Sequence, residues 1–575
     1  MKKDFQQLLS LLPWAKPYKL WIVGLLFCAF GFFSLAQANP LFISWVIDWA
    51  IPSGKMGALL LIVGIFFGVI FLRQLFSVFM IYAYTLLGSR ISADIQHDLL
   101  SRLLRVDIRY FHDRQQGDIL ARITEDVYAI REFLSVTIVD ILSNIFALVF
   151  SIIVMGWFNL KLAMAILVFL PLIPMPFKLM HPKLRKVFFE QRNANGANVA
   201  FLQEMLSAIL PIKIAGAISE VLNKQHNVIQ VLISTTVRQR TFQMMAAYAS
   251  EFFGNLLSPL LVFTFGGYLV FRNELTIGQL VASEMYAVGL VGPVVALSKT
   301  GALLQGVLAS LDRIKDITNA PQQDYSTRVL ISRPLGNIKV QDLCFSYNSN
   351  GQRLSGISLS ADRGELVAIV GPSGSGKSTL ACLLSGIFVP DSGRVLIDGH
   401  DVHLLENRAE IVTLVPQEPF LFHGTVASNL RFGCNNPDWT SMEGALIAAG
   451  VHEFVKSLPQ GYDTIIGERG ITMSGGERQR LVLANAFLRK PHVLILDEVT
   501  SALDAVSEQV VWNSLKRLRG EATIFVITHR ISSAIKADRV YVMQNGQIIE
   551  SGAPGTLLAA QGLFYELYKN QTEDV

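Results

Sequence analysis

The sequence predicts a molecule of two parts, an α-helical six-span transmembrane domain followed by an α/β domain built on a phosphate-binding loop. Three observations carry that prediction. Long apolar stretches crowd residues 20–303 and then stop. Residues 371–379 read GPSGSGKST. Two further segments follow, MSGGERQR at 473–480 and HVLILDEVTSALD at 492–504.

At 575 residues the chain exceeds one compact domain. Hydrophobic residues make up 51%, charged residues 16%, and the mean hydropathy is +0.42. Soluble domains carry about 25% charge, so at least one part belongs in lipid. The expected division is a membrane domain over 1–318, a polar linker over 319–337 and a nucleotide-binding domain over 338–575. The net charge of +4 comes with no basic stripe and no recognition motif, which argues against a nucleic-acid partner. Cys28, Cys344, Cys382 and Cys434 have neither paired nor metal-ligand spacing. The first apolar run lies too deep and runs too long for a cleavable signal, so the N-terminus is expected to stay on the protein.

A membrane helix needs about 20 mostly apolar residues. Six stretches qualify, near 20–43, 58–87, 136–157, 162–179, 248–271 and 278–303. Short turns join them in pairs, while the long intervals 88–134 and 180–247 hold most of the basic residues of the first half, among them Arg102, Arg109, Arg122, Lys183, Arg185 and Arg238. Lys and Arg gather on the cytoplasmic side. Both termini and the second domain are therefore expected there, in an integral, multi-pass protein of a bacterial inner membrane. Leu99, Leu103 and Leu104 recur at helical spacing, which predicts that the membrane helices continue beyond the bilayer. Arg73, Asp140, Glu251, Glu284 and Lys299 interrupt the apolar stretches. Their cost in lipid predicts that they face protein, a wet cavity or the interface. Pro40 and Pro293 are expected to kink the first and last spans or to be satisfied by neighbouring groups.

In the second domain, the strand-like ELVAIV runs into GPSGSGKST and then into a helix-like LACLLSGI, the context that a phosphate loop requires. Backbone amides over Gly371, Ser373, Gly374, Ser375, Gly376 and Lys377 would wrap phosphates at a helix N-terminus, with Thr379 in its first turn. Lys377 would meet the β- and γ-phosphates, and the Ser378 hydroxyl would ligate Mg²⁺. VLILDEV has the form of a buried strand delivering two acids at its end. Asp497 is expected to hold the metal and Glu498 to polarise the attacking water. His529, after another strand-like run, is expected at the γ-phosphate. These residues define a P-loop NTPase domain that binds and hydrolyses ATP.

The whole chain resembles the ATP-binding-cassette family, in its multidrug- and lipid-exporter type with the type IV exporter fold, as a half-transporter of six spans and one cassette. The family's usual LSGGQ reads Met473-Ser474-Gly475-Gly476-Glu477 here. The resemblance implies that Ser474, Gly475, Gly476 and Glu477 face the γ-phosphate held by a second chain, with Asp504 crossing the dimer. It also implies that Tyr347 stacks on adenine and that Gln417 reaches metal and water. Residues 467–470 and 501–504 look like the family's cassette loops, and 212–225 and the turn at 109–114 look like its coupling helices. Met473, Glu477, Val499 and Asn485 depart from the commoner residues without removing a phosphate, metal or water ligand. The resemblance implies ATP-driven export of an amphipathic small molecule, lipid or peptide by a homodimer or a heterodimer. An importer of the same fold, for instance of a siderophore or metal chelate, and an ATP-gated channel or sensor are the alternatives, because no motif encodes direction or cargo. The first span begins near residue 20, which argues against leader-peptide processing by an N-terminal peptidase.

Overall fold

The computed structural model describes residues 11–112, 114, 116–322, 329–347, 353–467, 473–499 and 504–573. By its contacts the chain forms two compact units, Met1–Leu104 with Gln116–Asn319, and Arg105–Gln115 with Ala320–Val575.

Among the described residues of the first unit, six helical segments are long and apolar enough to cross a membrane: Pro13–Ala50, Met56–Leu103, Gln116–Phe158, Leu160–Met180, Ile218–Phe271 and Ile277–Thr318. Five of them run well past the apolar core read from the sequence. Helix Met56–Leu103 is unbroken over 48 residues, because Leu87, Ile91, Ile95, Leu99 and Leu103 continue a buried stripe beyond the apolar stretch. Gln116–Phe158 includes two five-residue π-helical turns, Arg122–Asp126 and Phe133–Thr137. Asp126 is buried and takes the Arg313 guanidinium, with Nε at 2.7 Å, and the Ser310 hydroxyl at 2.8 Å. Arg122 pairs with Asp316 at 2.5 Å and with Asp118 at 2.9 Å. These bonds tie the polar extension of the third span to that of the last.

Pro40 and Pro293 each fall just after a break in the helix within a single span. Pro40 sits in the first turn of helix Asn39–Trp45, after a break at Gln37 and Ala38. Pro293 likewise lies in the first turn of Val291–Thr318. Each opens a helix, where its missing N–H is not needed. Pro182 and Pro259 lie in the interiors of long helices. Residues 212–225 are not one helix either. Helix Ile209–Ala215 ends at Gly216 (φ 64°), and a long helix starts at Ile218.

Arg73, Asp140 and Glu251 lie about 25–30 Å along their helices from Met56, Phe158 and Phe271, close to the thickness of the hydrocarbon core. All three therefore belong near one edge of the bilayer. Arg73 is half-buried with its guanidinium 5.7 Å from the Phe32 ring centre, Asp140 and Glu251 are exposed, and Glu284 is half-buried. The side chain of Lys299 lies outside the described residues.

Among the described residues the second unit contains twelve strands. They are β1 (Ile338–Ser346), β2 (Arg353–Ala361), β3 (Leu366–Val370), β4 (Ser392–Ile397), β5 (His400–Asp401), β6 (Val412–Val415), β7 (Gly424–Thr425), β8 (Ile465–Ile466), β9 (Val493–Asp497), β10 (Thr523–Ile527), β11 (Arg539–Gln544) and β12 (Gln547–Gly552). The main sheet runs β12-β11-β3-β10-β9-β6 and is parallel except for β12. An antiparallel sheet, β2-β1-β4-β5, lies beside it. Strands β3, β9 and β10 are buried at every residue, as parallel strands covered on both faces must be. Alternate side chains feed two cores. Ala368, Val370, Leu494, Leu496, Ile524 and Val526 enter one. Val367, Ile369, Val493, Ile495, Phe525 and Ile527 enter the other.

Candidate nucleotide site

All the chemistry of the main sheet leaves the same edge. The phosphate loop follows β3, Asp497 ends β9 with Glu498 just after it, His529 follows β10, and Gln417 follows β6. In an open α/β sheet, ligands bind beyond the carboxyl ends of the strands.

The loop itself depends on glycine. Gly374 has φ 79° and Gly376 has φ 97°, a region where a side chain is strained. A Cβ on Gly376 would also stand 2.5 Å from Leu354 Cδ2, and one on Gly371 would meet the Met543 carbonyl oxygen. Ser373 is exposed in the turn, Ser375 is buried, and Lys377 begins helix Lys377–Leu384. Lys377 is only 7% exposed, and its Nζ donates to the Gly371 and Pro372 carbonyls at 3.0 Å each. Burial pushes its pKa down, opposed by the charges of Glu498 and Asp497. These two carbonyls hold the ammonium over the loop, where an incoming phosphate can replace them.

Asp497 is 5% exposed, and burial raises its carboxyl pKa, against the Ser378 hydroxyl that hydrogen-bonds it. Its Oδ1 is buried without a hydrogen-bond partner among the described residues. An orphaned carboxylate oxygen beside a hydroxyl fits a hard cation such as Mg²⁺. Among the described residues no group of three or more His, Cys, Asp or Glu could hold a metal unaided. The remaining oxygens would come from phosphate and water.

Glu498 has φ 50°, an uncommon conformation for a non-glycine residue. Its backbone N–H donates to the Ile527 carbonyl at 2.9 Å, which fixes the turn. The carboxylate then lies between two partners. Gln417 Nε2 donates to Oε2 at 3.0 Å, and His529 Nδ1 is 3.2 Å from Oε1. Three residues expected at hydrolysis, from three different strand ends, thus meet on one carboxylate. Tyr347 is half-buried beside the loop, its hydroxyl 3.2 Å from Thr379 Oγ1 and its ring edge-on to Phe388.

Ser474 opens helix Gly475–Leu488 as its N-cap. Its Oγ accepts from the Glu477 N–H at 3.3 Å, and Glu477 Oε2 accepts from the Ser474 N–H at 2.8 Å. This capping box is a local reason for Glu at 477. Asp504 caps helix Ala505–Leu518, and the Ser507 amide and hydroxyl hold its pKa down to about 2. Arg480 joins the two helix starts, donating to Ser507 Oγ at 2.7 Å and to Asp504 Oδ2 at 3.3 Å. Neither that arginine link nor the bonds of Asn485 to the Leu430 and Phe432 carbonyls was read from the sequence. Residues 468–470 and 501–503, named above as cassette loops, lie outside the described residues.

A phosphate loop and paired acids on one sheet edge, in a chain with six apolar spans, define an ATPase of the transporter class. Comparison with known proteins carries this further. The family described as ABC transporter transmembrane region matches residues 21–294, and that described as ABC transporter matches 354–501. The putative multidrug export ATP-binding/permease protein YgaD of Bacillus subtilis is 31% identical, over 97% of this chain and 98% of its own. The alpha-hemolysin translocation ATP-binding protein HlyB of Escherichia coli O157:H7 is 32% identical, over 93% of this chain and 76% of its own. A bacterial Atm1-family ABC exporter with ATP bound, 24% identical, shares the fold at a TM-score of 0.83 over 96% of this chain and 98% of its own. The chain belongs to the ATP-binding-cassette transporter family, with exporters among its relatives. It is an ATPase in a multi-pass membrane protein.

Proposed function

We propose that the chain is one half of a dimeric exporter that moves an amphipathic small molecule, lipid or peptide out of the cytoplasm of a bacterium across its inner membrane. Residues 1–318 form the membrane domain, 319–337 the linker and 338–575 the cassette. One chain contributes Tyr347, Lys377, Ser378, Gln417, Asp497, Glu498 and His529 to a nucleotide, and its partner contributes Ser474–Glu477 and Asp504. Ser378, Gln417 and Asp497 would hold Mg²⁺, which would neutralise phosphate charge when bound. Glu498 orients the attacking water, and His529 and Gln417 orient Glu498. The observation that carries this reading is the shared Glu498 carboxylate, because phosphoryl transfer asks the protein mainly for positioning and charge stabilisation. The export direction is supported by the names of the relatives, two of which are a putative multidrug exporter and a toxin translocator.

Inside-out vesicles carrying the native chain are expected to accumulate an amphipathic fluorescent probe on adding ATP. Vesicles carrying Glu498→Gln should bind ATP and accumulate none, with hydrolysis reduced about 10²-fold or more. Uptake confined to right-side-out vesicles would establish an importer, and near-native phosphate release by Glu498→Gln would remove that residue from its role.

A further inference from the structure

Helix Leu563–Glu573 is fastened at both ends. Near its start, Glu550 on β12 accepts from the Leu563 and Phe564 N–H groups at 2.5 and 3.2 Å. The Phe564 ring is fully buried in the core. Near its other end, Gln571 reaches the turn after β10. Its Oε1 accepts from the Ile531 N–H at 2.8 Å, and its Nε2 donates to the His529 carbonyl at 2.5 Å. A side-chain amide carries one acceptor oxygen and one donor nitrogen, and here both act on the backbone flanking Arg530. Two other anchors hold the turn. The Thr528 hydroxyl accepts from the Arg530 N–H at 3.0 Å, and Glu508 accepts from Arg530 Nη1 at 3.2 Å. The exposed group on this turn is the His529 imidazole, the group that meets Glu498.

We infer that Gln571 is a positioning residue for ATP hydrolysis, clamping the backbone of His529 and Ile531 so that the C-terminal helix sets where the His529 imidazole stands against Glu498. The inference rests on the reading that His529 serves hydrolysis. Gln571 touches no reacting atom itself. An exposed imidazole takes little orientation from packing, so the backbone beneath it must be fixed. A shift of about 1 Å at such a group can cost about 10²-fold in rate. Thr528 and Glu508 keep the turn folded when Gln571 is replaced, so the loss falls on alignment rather than on the fold.

The test is steady-state ATPase of the full-length protein in lipid nanodiscs. Gln571→Ala is expected to lower kcat about 5–20-fold and to leave KM for ATP within about twofold, because Tyr347, Lys377 and Ser378 are untouched. Gln571→Glu keeps an acceptor for Ile531 but faces the His529 carbonyl with a second oxygen, and should be at least as slow. Thr572 bonds the Tyr568 and Lys569 carbonyls of its own helix, so Thr572→Val should keep the native rate. In a His529→Ala background the Gln571→Ala effect should shrink below about twofold, the mark of two residues acting through one group. The inference is overturned if Gln571→Ala keeps the native kcat, raises KM together with lowering kcat, or costs the same factor in both backgrounds. A native rate in His529→Ala would instead remove the role of His529, and this inference with it. A slow His529→Ala beside a fast Gln571→Ala would remove Gln571 alone.

Discussion

At the scale of the residue, the site shows how little separates an ion ligand from a buried liability. Asp497 is a desolvated carboxylate with one oxygen unpartnered, and its raised pKa follows from that burial. The proton and the metal therefore compete for it. If Asp497 holds Mg²⁺, kcat/KM for ATP should fall on the acid side at a pH above the ordinary carboxylate value of about 3.9. Raising Mg²⁺ should move that limb to lower pH. Profiles measured at two Mg²⁺ concentrations check this, and a limb indifferent to the metal would remove Asp497 as its ligand. The stability contribution has the opposite sense to that of a salt-bridged aspartate. A raised folded-state pKa favours the protonated form, so the nucleotide-free cassette loses this contribution as pH rises from the ordinary value through the raised one. The residue types at 377, 497 and 498 were legible in the sequence because phosphate and metal chemistry admits few alternatives. Gln417 and His529, which meet Glu498, were legible as well, but the side chain that fastens the His529 backbone was not. Gln571 stands 42 residues from His529, and no periodicity or motif announces a single amide that reaches across a fold.

At the scale of the element, the glycines of the phosphate loop and of the helix start at Ser474 differ in how closely they are packed. Gly376 sits at φ 97° with Leu354 in the way of any side chain, whereas a Cβ on Gly475 would meet nothing within 4 Å. Gly376→Ala is thus expected to weaken binding of a fluorescent ATP analogue at least about tenfold and to lower the thermal midpoint, the strain of a left-handed non-glycine residue being about 1–2 kcal/mol before the clash is counted. Gly475→Ala should leave both unchanged and slow hydrolysis alone, through a contact that the same chain does not make. A lowered midpoint in Gly475→Ala would place that glycine among the structural ones. The strands around the site were legible as short apolar runs, and the structure sorts their alternate residues into two cores. The helix ends were less legible. Proline gives the same sequence signal whether it bends a helix or opens one, and at Pro40 and Pro293 only the break at Gln37 and Ala38 or at Leu290 decides. The apolar stretches also understate helix length, since a helix beyond the bilayer shows only a stripe such as Ile91, Ile95 and Leu99.

At the scale of the whole molecule, the proposed site needs a partner. If Lys377 and Ser474 serve complementary halves of one site, as proposed, two chains with different lesions should rescue one another. Lys377→Ala and Ser474→Arg are each expected to abolish hydrolysis alone. Mixed and reassembled in equal amounts, they should recover about a quarter of the native rate, as half of the dimers regain one of two sites in a symmetric assembly. No recovery, with mixed dimers shown to form, would mean that each chain builds its site from its own residues. Cargo was illegible in the sequence because an apolar surface with a few edge charges accepts many amphipathic shapes, and Arg73, Asp140 and Glu251 lie where membrane proteins commonly place charge.

The unbroken helix Met56–Leu103 has a mechanical consequence. Its 48 residues make a rod of roughly 70 Å, of which about 30 Å fills the hydrocarbon core. Some 40 Å of it is therefore a lever arm, and no proline or π-turn interrupts it to absorb bending. A change of tilt of about 5° within the bilayer, small beside the spread of tilts that membrane helices adopt, sweeps the far tip through roughly 3–4 Å. That travel is the length of a hydrogen bond. A modest rocking among lipids is thereby geared up, at the end of one stiff beam, into a displacement large enough to make or break a polar contact.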